Sequence, residues 1–244
     1  MYRVSATARF ERKYLLGLHE YHRLRTALPL HVEKDRFTKA QGSGRYLVRS
    51  IYYDTRDYRA YYEKEDGAFG RIKLRIRSYT DTPEPDSVIS VELKTKSGNS
   101  MVKYSTHVTF EDYRAYLKEG LWPGKADPVL EEFERLRRSR SLLPVVLVQY
   151  HREGYRSRDR LPVRVTVDHE VVSTRARSLF PDHAILRPHR PKHVIFEVKT
   201  SVEEPEWLTD LVREHELKAT SNSKYVQGIE VIRPNMVTPR MVAP

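Results

Sequence analysis

Three stretches of the chain place a carboxylate two residues ahead of a lysine: Glu11 and Lys13, Glu92 and Lys94, Glu197 and Lys199. Each lies in a segment that alternates charged with apolar or aromatic residues, so in an extended backbone both charges of a pair share one face. A fourth segment, from Arg71 to Tyr79, puts Arg71, Lys73, Arg75 and Arg77 on one face and Ile72, Leu74 and Ile76 on the other. Four cations along one strand repel one another unless an anion joins them. For a strand taken alone, a cationic face turned to water accounts for the pattern as well as a binding surface does. Three repeats of Glu-x-Lys are harder to assign to water, because a solvated face needs no fixed order of charges. A pocket for a metal-bound polyanion does need one: cations contact phosphate oxygens, and carboxylates hold the metal that bridges them. Lys103, just past the turn at Ser97-Gly-Asn-Ser100, heads a strand that should pair with the one carrying Glu92 and Lys94. Arg152, then Arg164 with Asp168 and Glu170, and finally Lys224 continue the pattern along the chain.

The elements that must position these groups are mostly strands. Period-2 alternation predicts strands over Ala8–Leu16, Tyr46–Asp54, Arg71–Tyr79, Val88–Lys96, Met101–Thr109, Val145–Arg156, Val163–Thr174, His193–Thr200 and Tyr225–Ile232. Helices are fewer. Thr109 caps one that Gly120 closes, Asp127-Pro128 opens a second to about Arg140, and Pro205 opens a third over Glu206–Leu217. A further helix is expected over Leu15–Leu28. The stretch Thr80–Asp86 reads as a hairpin loop, and the Pro-rich end beyond Arg233 as a tail. No linker separates two composition classes, so the expectation is one domain over residues 1–233 and a tail over 234–244. Nine strands in one chain, with few helices, suggest a barrel or sandwich and a mainly β (α+β) class. Curling them into an antiparallel barrel would aim the cationic faces inward and leave the apolar faces to external helices.

The chain has 244 residues, and its 44 Lys and Arg against 33 Asp and Glu give a net charge of +11, which calls for an anionic partner. It has no cysteine, which excludes disulfides, thiolate metal sites and cysteine nucleophiles and accords with a cytoplasmic protein. No stretch approaches the roughly 20 apolar residues that span a bilayer, and no Walker loop or His-Glu-x-x-His helix occurs.

In this order, the segments RFERKYLL, RSIYYDT, RIKLRIRSY, VELKTKSG with VKYS, FEVKT and SNSKYVQGIE resemble the triphosphate tunnel metalloenzymes (the CYTH-like superfamily). Within them the likeness is to the vacuolar transporter chaperone (VTC) domain, a polyphosphate polymerase domain. The resemblance implies a tunnel-forming barrel, Mn2+ or Mg2+ as cofactor, ATP and inorganic polyphosphate or triphosphate as partners, and transfer of the ATP γ-phosphate to a growing polyphosphate chain. Position by position, it implies phosphate binding by Lys13, Arg75, Arg77, Lys94, Lys103, Arg152, Arg164, Lys199 and Lys224. Among these Arg75, Arg77, Lys94 and Lys199 would act in catalysis, while Glu197, with Glu11 and Glu92, would bind metal. One departure stands out: the wider superfamily opens with Glu-x-Glu-x-Lys, whereas Arg9 here makes it Arg-x-Glu-x-Lys, as in the VTC branch.

Three other readings compete with the polymerase. Water as acceptor would make the same site a tripolyphosphatase or nucleoside triphosphatase. A module that holds polyphosphate without turnover would have no use for the carboxylates. Nucleic-acid binding would draw on the chain's 16 tyrosines, but Tyr52, Tyr53, Tyr58, Tyr61 and Tyr62 cluster in sequence and are expected to pack over or beside the barrel, so no nucleic-acid partner is expected.

Overall fold

The computed structural model describes residues 3–5, 10–97, 100–124, 126–201 and 203–236. Its strands are β1 (Arg3–Ser5), β2 (Phe10–Gly17), β3 (Val32–Lys34), β4 (Tyr46–Asp54), β5 (Gly70–Ser78), β6 (Ile89–Ser97), β7 (Ser100–Val108), β8 (Leu143–Ser157), β9 (Val163–Thr174), β10 (Arg187–Pro188) and β11 (His193–Thr200). They form one 11-stranded sheet in the order β1-β7-β6-β5-β4-β8-β9-β11-β2, with β3 beside β8 and β10 beside β9. The paired strands run antiparallel, as alternation predicts. Eight of the nine expected strands are found within about two residues of their predicted ends. Ala8 and Arg9 lie outside the described residues, as do Gly98 and Asn99 of the expected turn, whose flanking residues Ser97 and Ser100 pair directly.

The sheet is curled rather than closed by hydrogen bonds: among the described residues no ladder joins β1 to β2. The curl is nonetheless strong enough to bring Glu11 of β2 within 3.9 Å of Lys94 of β6, strands six places apart in the sheet order. Register shifts at Tyr52/Tyr53 between β4 and β8, and at Gln149/His151 between β8 and β9, add local bend where the 15-residue β8 must wrap.

Helices cover the convex face on two sides. Over β4–β7, Ile51, Tyr53, Leu74, Ile76 and Val91 pack against α4 (Phe110–Glu119) and α5 (Pro128–Ser139) through Tyr113, Tyr116, Leu130 and Phe133. The caps are those the sequence signals: Thr109 accepts from Asp112 N–H, Gly120 takes the left-handed conformation, and Asp127 accepts from Val129 and Leu130 N–H. Over β2, β9 and β11, Tyr14, Val165, Val167 and Phe196 pack against α1 (Leu18–His31) and α6 (Glu206–Glu214). α1 begins three residues later than expected. Leu15 and Leu16 stay in β2, and Glu20 reaches back to accept from Gly17 N–H at 2.6 Å, which fixes the helix start. Two short helices, α2 (Arg36–Lys39) and α3 (Arg59–Glu65), follow β3 and β4.

The last predicted strand is a helix. Tyr225–Ile232 belongs to α7 (Lys224–Ile232), and this helix lies on the concave side of the sheet rather than outside it. Its Val and Ile content favours a strand, but Ser223 caps it, and its buried residues Tyr225, Val226, Gly228 and Ile229 recur at helical spacing. They pack on Val146, Val148, Val171 and Ile195, an apolar patch on the concave face, and that burial overrides propensity. Gly228 allows the close approach: a Cβ there would lie 2.9 Å from Ser173 Oγ and 3.2 and 3.3 Å from the methyls of Val146 and Val148. Gly228→Val is therefore expected to destabilise the fold by about 1–3 kcal/mol through overpacking. Urea denaturation would show it, and an unchanged midpoint would mean that α7 does not seat against β8 in this way.

Candidate functional site

Alternation along each strand dictates which side chains reach the concave face. On β5 these are Arg71, Lys73, Arg75 and Arg77; on β6, Glu92 and Lys94; on β7, Lys103. β8 adds Tyr150 and Arg152, β9 Arg164 and Asp168, and β2 and β11 bring Glu11, Lys13, Glu197 and Lys199. The curl gathers them into three ionic groups.

The first joins β2, β11 and β6. Lys13 Nζ lies 2.8 Å from Glu11 Oε1 and donates to the Asn222 carbonyl at 3.0 Å. Lys199 Nζ lies 2.5 Å from Glu197 Oε1 and 3.9 Å from Glu11 Oε2, and Lys94 Nζ reaches the same Glu11 oxygen at 3.9 Å. Two carboxylates on neighbouring strands thus share one lysine. Burial and mutual repulsion both act to raise the Glu11 pKa, but Lys199, Lys13 and Lys94 hold it below its ordinary value. Glu197, almost wholly buried, is likewise opposed by burial and held well below the usual range by Lys199 and Lys13. Both therefore remain ionised at neutral pH.

The second group is built on β5–β7. Glu92 accepts from Arg75 Nε through one oxygen and meets Lys103 Nζ at 3.0 Å through the other. Burial works against its ionisation, but Arg75, Arg77 and Lys103 prevail and keep it far below the carboxylate norm. Arg75 also donates to Tyr52 Oη at 3.3 Å, and Arg77 Nε to Ser50 Oγ at 3.1 Å.

In the third, Asp168 is fully buried and takes a bidentate pair from Arg152, at 2.5 and 2.8 Å, with Lys224 Nζ 2.5 Å from its second oxygen. Tyr150 lies beneath both cations, its ring centre 5.1 Å from the Arg152 guanidinium and 4.8 Å from Lys224 Nζ. Lys224 comes from the first turn of α7, so the helix that fills the apolar part of the concave face also delivers this cation.

The remaining residues fall at the edges. Arg164 stands about half-exposed, bonded to Asp35 at 3.2 Å and to Tyr46 Oη at 3.4 Å. Arg71 donates to the Lys64 carbonyl, and Lys73 lies 5.0 Å from the Tyr225 ring centre. Glu170 is not part of the cluster. It sits near the β8–β9 bulge with φ of 53° and pairs with exposed His151. Tyr52 faces inward beside Arg75, which its position two residues from Ser50 could have signalled; nothing in the local sequence marks Asp35 or Asn222 as partners of the site.

Cations outnumber carboxylates on this face, and the surplus has a measurable consequence. Burial, reinforced by Lys94 and Arg71, pushes Lys73 down to about 7. Burial also lowers Lys94 and Lys103 to about 8, despite the attraction of Glu11 and Glu92 respectively. The same lysines keep their protons to about pH 10.4 in an unfolded chain. Between about 8 and 10.4 the unfolded state therefore binds more protons, and the free fold gains stability as pH rises through that window. A bound polyanion favours the charged lysines, so its binding should take up protons near pH 8 and weaken as pH rises from about 7 to 9. Calorimetry in buffers of different ionisation enthalpy reads this directly; no proton uptake would mean that the polyanion does not meet these lysines.

Comparison with known proteins accords with this geometry. A protein of Bacillus halodurans, provisionally named an adenylate cyclase, superposes with a TM-score of 0.56 at 15% identity, covering 92% of this chain and 97% of its own. The PH1819 protein of Pyrococcus horikoshii gives a TM-score of 0.46 at 18% identity, covering 90% and 96%. No curated protein sequence matches the chain. The VTC domain model matches residues 8–233, a span that runs from the RFERKYLL segment through α7 and takes in all three ionic groups. By that match and by its curled, cation-lined sheet, the chain belongs to the VTC domain family and has the triphosphate tunnel fold.

Proposed function

We propose that the chain, as a single domain over residues 1–233, is a polyphosphate polymerase that passes the γ-phosphate of ATP to the end of an inorganic polyphosphate chain held on the concave face. The observation that carries this reading is the Glu11–Glu197 pair: two ionised carboxylates, bracketed by Lys13, Lys94 and Lys199, on a surface lined with further lysines and arginines.

A divalent metal fits this pair. The donors are hard oxygens, suited to Mg2+ or Mn2+. Among the described residues no group of three or more His, Cys, Asp or Glu could hold a metal. Two carboxylates with phosphate oxygens and water completing the shell is the usual arrangement for Mg2+ at a phosphate site. We assign Glu11 and Glu197 this role. Glu92, whose two oxygens are taken by Arg75 and Lys103, would enter only by exchanging those partners. The metal, held by Glu11 and Glu197, would offset the negative charge that develops on the transferred group.

The chain's own residues then have positioning and electrostatic work. Lys13, Lys94 and Lys199 would hold the reacting phosphates beside the carboxylates, and Arg75 and Arg77, tied by Glu92 and Ser50, would meet the transferred group. Arg152, Lys224, Lys103 and Arg164 would carry the rest of the polyanion. Phosphoryl transfer of this kind needs no protein nucleophile. Consumption of ATP accords with a cytoplasmic location, and no helix among the described residues is long and apolar enough to cross a membrane.

The test is incubation of the purified protein with ATP and Mn2+, followed by gel detection of polyphosphate and assay of free phosphate. Polymer together with ADP supports the polymerase. Free phosphate without polymer assigns water as the acceptor, and tight polyphosphate binding without either product reduces the chain to a binding module.

A further inference from the structure

The concave face ends, on the side of Arg77 and Arg164, in a row of aromatic rings that the phosphate chemistry leaves unused. Tyr46 stands in the middle, buried, with the ring centres of Phe37 and Tyr79 each 6.1 Å away. Those two flanking rings are 51% and 45% exposed, a large share for aromatic side chains next to so polar a lumen. The row is joined to the ionic site at two points. Tyr46 Oη accepts from Arg164 at 3.4 Å, and Tyr79 directly follows Ser78, the last residue of the β5 strand that carries Arg77 and Arg75. The Arg36 guanidinium lies 4.7 Å from the Phe37 ring centre, so the rim is cationic as well as aromatic.

Inorganic polyphosphate has no ring system and gains nothing from exposed aromatic faces. A nucleobase does, since stacking on an aromatic side chain stabilises a bound base whatever its identity. We propose that this rim is a base-binding subsite: the base of a nucleoside triphosphate lies against Phe37 and Tyr79 while its phosphates run inward past Arg77 and Arg75. Spacing supports the assignment. Arg77 and Arg75 follow one another at a two-residue step of about 7 Å along β5, with Tyr79 just past its end, so a base at the rim leaves the terminal phosphate deepest, towards Lys94, Glu11 and Glu197. The inference rests on the reading of the concave face as a triphosphate site and adds what separates a nucleotide from an inorganic chain of similar charge.

The experiment compares two probes, β,γ-imido-ATP and tripolyphosphate, by calorimetry with Mg2+ on the wild type, Phe37→Ala, Tyr79→Ala and Phe37→Trp. The expected result is that each alanine variant binds the ATP analogue about five- to a hundredfold more weakly, binds tripolyphosphate as the wild type does, and that Phe37→Trp retains nucleotide affinity. Equal loss for both probes would make the rings structural supports of the lumen and overturn the subsite, as would nucleotide affinity unchanged in both alanine variants. A wild type that binds no tripolyphosphate would instead overturn the triphosphate site itself, and the subsite with it.

Discussion

Replacing Glu197 with Gln should reduce metal-dependent turnover of ATP by about three orders of magnitude or more while the protein remains folded. Glu197 is one of the two carboxylates assigned to the metal, and a bound cation contributes several kcal/mol of charge stabilisation to phosphoryl transfer, at 1.36 kcal/mol per decade of rate. Gln keeps the shape but offers no negative charge, so both the metal and the nearby Lys199 lose a partner. Turnover with Mn2+ and circular dichroism of the same sample separate chemistry from folding. Full activity in a folded variant would refute the metal assignment. Stability gives an independent check. Glu197 has its pKa depressed in the folded state, so the stability it contributes is present above the unfolded carboxylate value of about 4.3 and is lost as pH falls below it. The Gln variant should lack that component of acid sensitivity.

The largest effect on folding is expected at Asp168→Asn, a loss of about 3–5 kcal/mol. Arg152 and Lys224 are both nearly buried and converge on this one carboxylate, so removing its charge leaves two cations out of water without the carboxylate that contacts them directly. Chemical denaturation at pH 7 measures the loss; a change below about 1 kcal/mol would mean that solvent or another group compensates these cations. The sign with pH follows from the same contacts. Burial acts against ionisation of Asp168, but Arg152 and Lys224 lower its pKa from 3.8 to about 2, so the contact stabilises the fold above about pH 4 and is lost as pH falls towards 2. Tripolyphosphate should stabilise the Asn variant more than the wild type, because its oxygens replace the missing carboxylate between Arg152 and Lys224. If phosphate never reaches these two cations, the stabilisation will be equal in both proteins.

Asp168 also illustrates how far the sequence could be read. Its place on a charged strand face beside Arg164 is visible in the alternation of β9, yet its partners are Arg152, opposite it on β8, and Lys224, 56 residues further on at the start of a helix. The pairing of a strand residue with a helix residue has no local signal. Lys224 itself is recognisable as a cation at a segment start, but α7 reads as a strand, because Val226, Ile229, Val231 and Ile232 satisfy strand propensity, and only the apolar patch around Val146, Val148 and Ile195 selects the helix. The expectation that tyrosines near Tyr52 pack over or beside the barrel holds for Tyr53, which lies under α5, whereas Tyr52, its neighbour, faces the ionic site.

Period-2 alternation and cap chemistry are local properties, and they determined most of what is local here: the strands from β4 to β9 and β11, the helices α4 and α5, and the faces on which Glu11, Lys13, Arg75, Arg77, Glu92, Lys94, Glu197 and Lys199 lie. They also implied that those faces meet around an anion, since like charges in such number need one. Which charges meet which was decided by tertiary structure alone. The curl of the sheet, set by strand twist and the two register shifts, sets Glu11 beside Lys94 across the lumen, while the register of β5, β6 and β7 ties Glu92 to Arg75 and Lys103 and Glu170 stays outside the cluster. α7 found its place on the concave side because Tyr225, Val226 and Ile229 bury the apolar surface of Val146, Val148, Val171 and Ile195, and in doing so it carried Lys224 to Asp168.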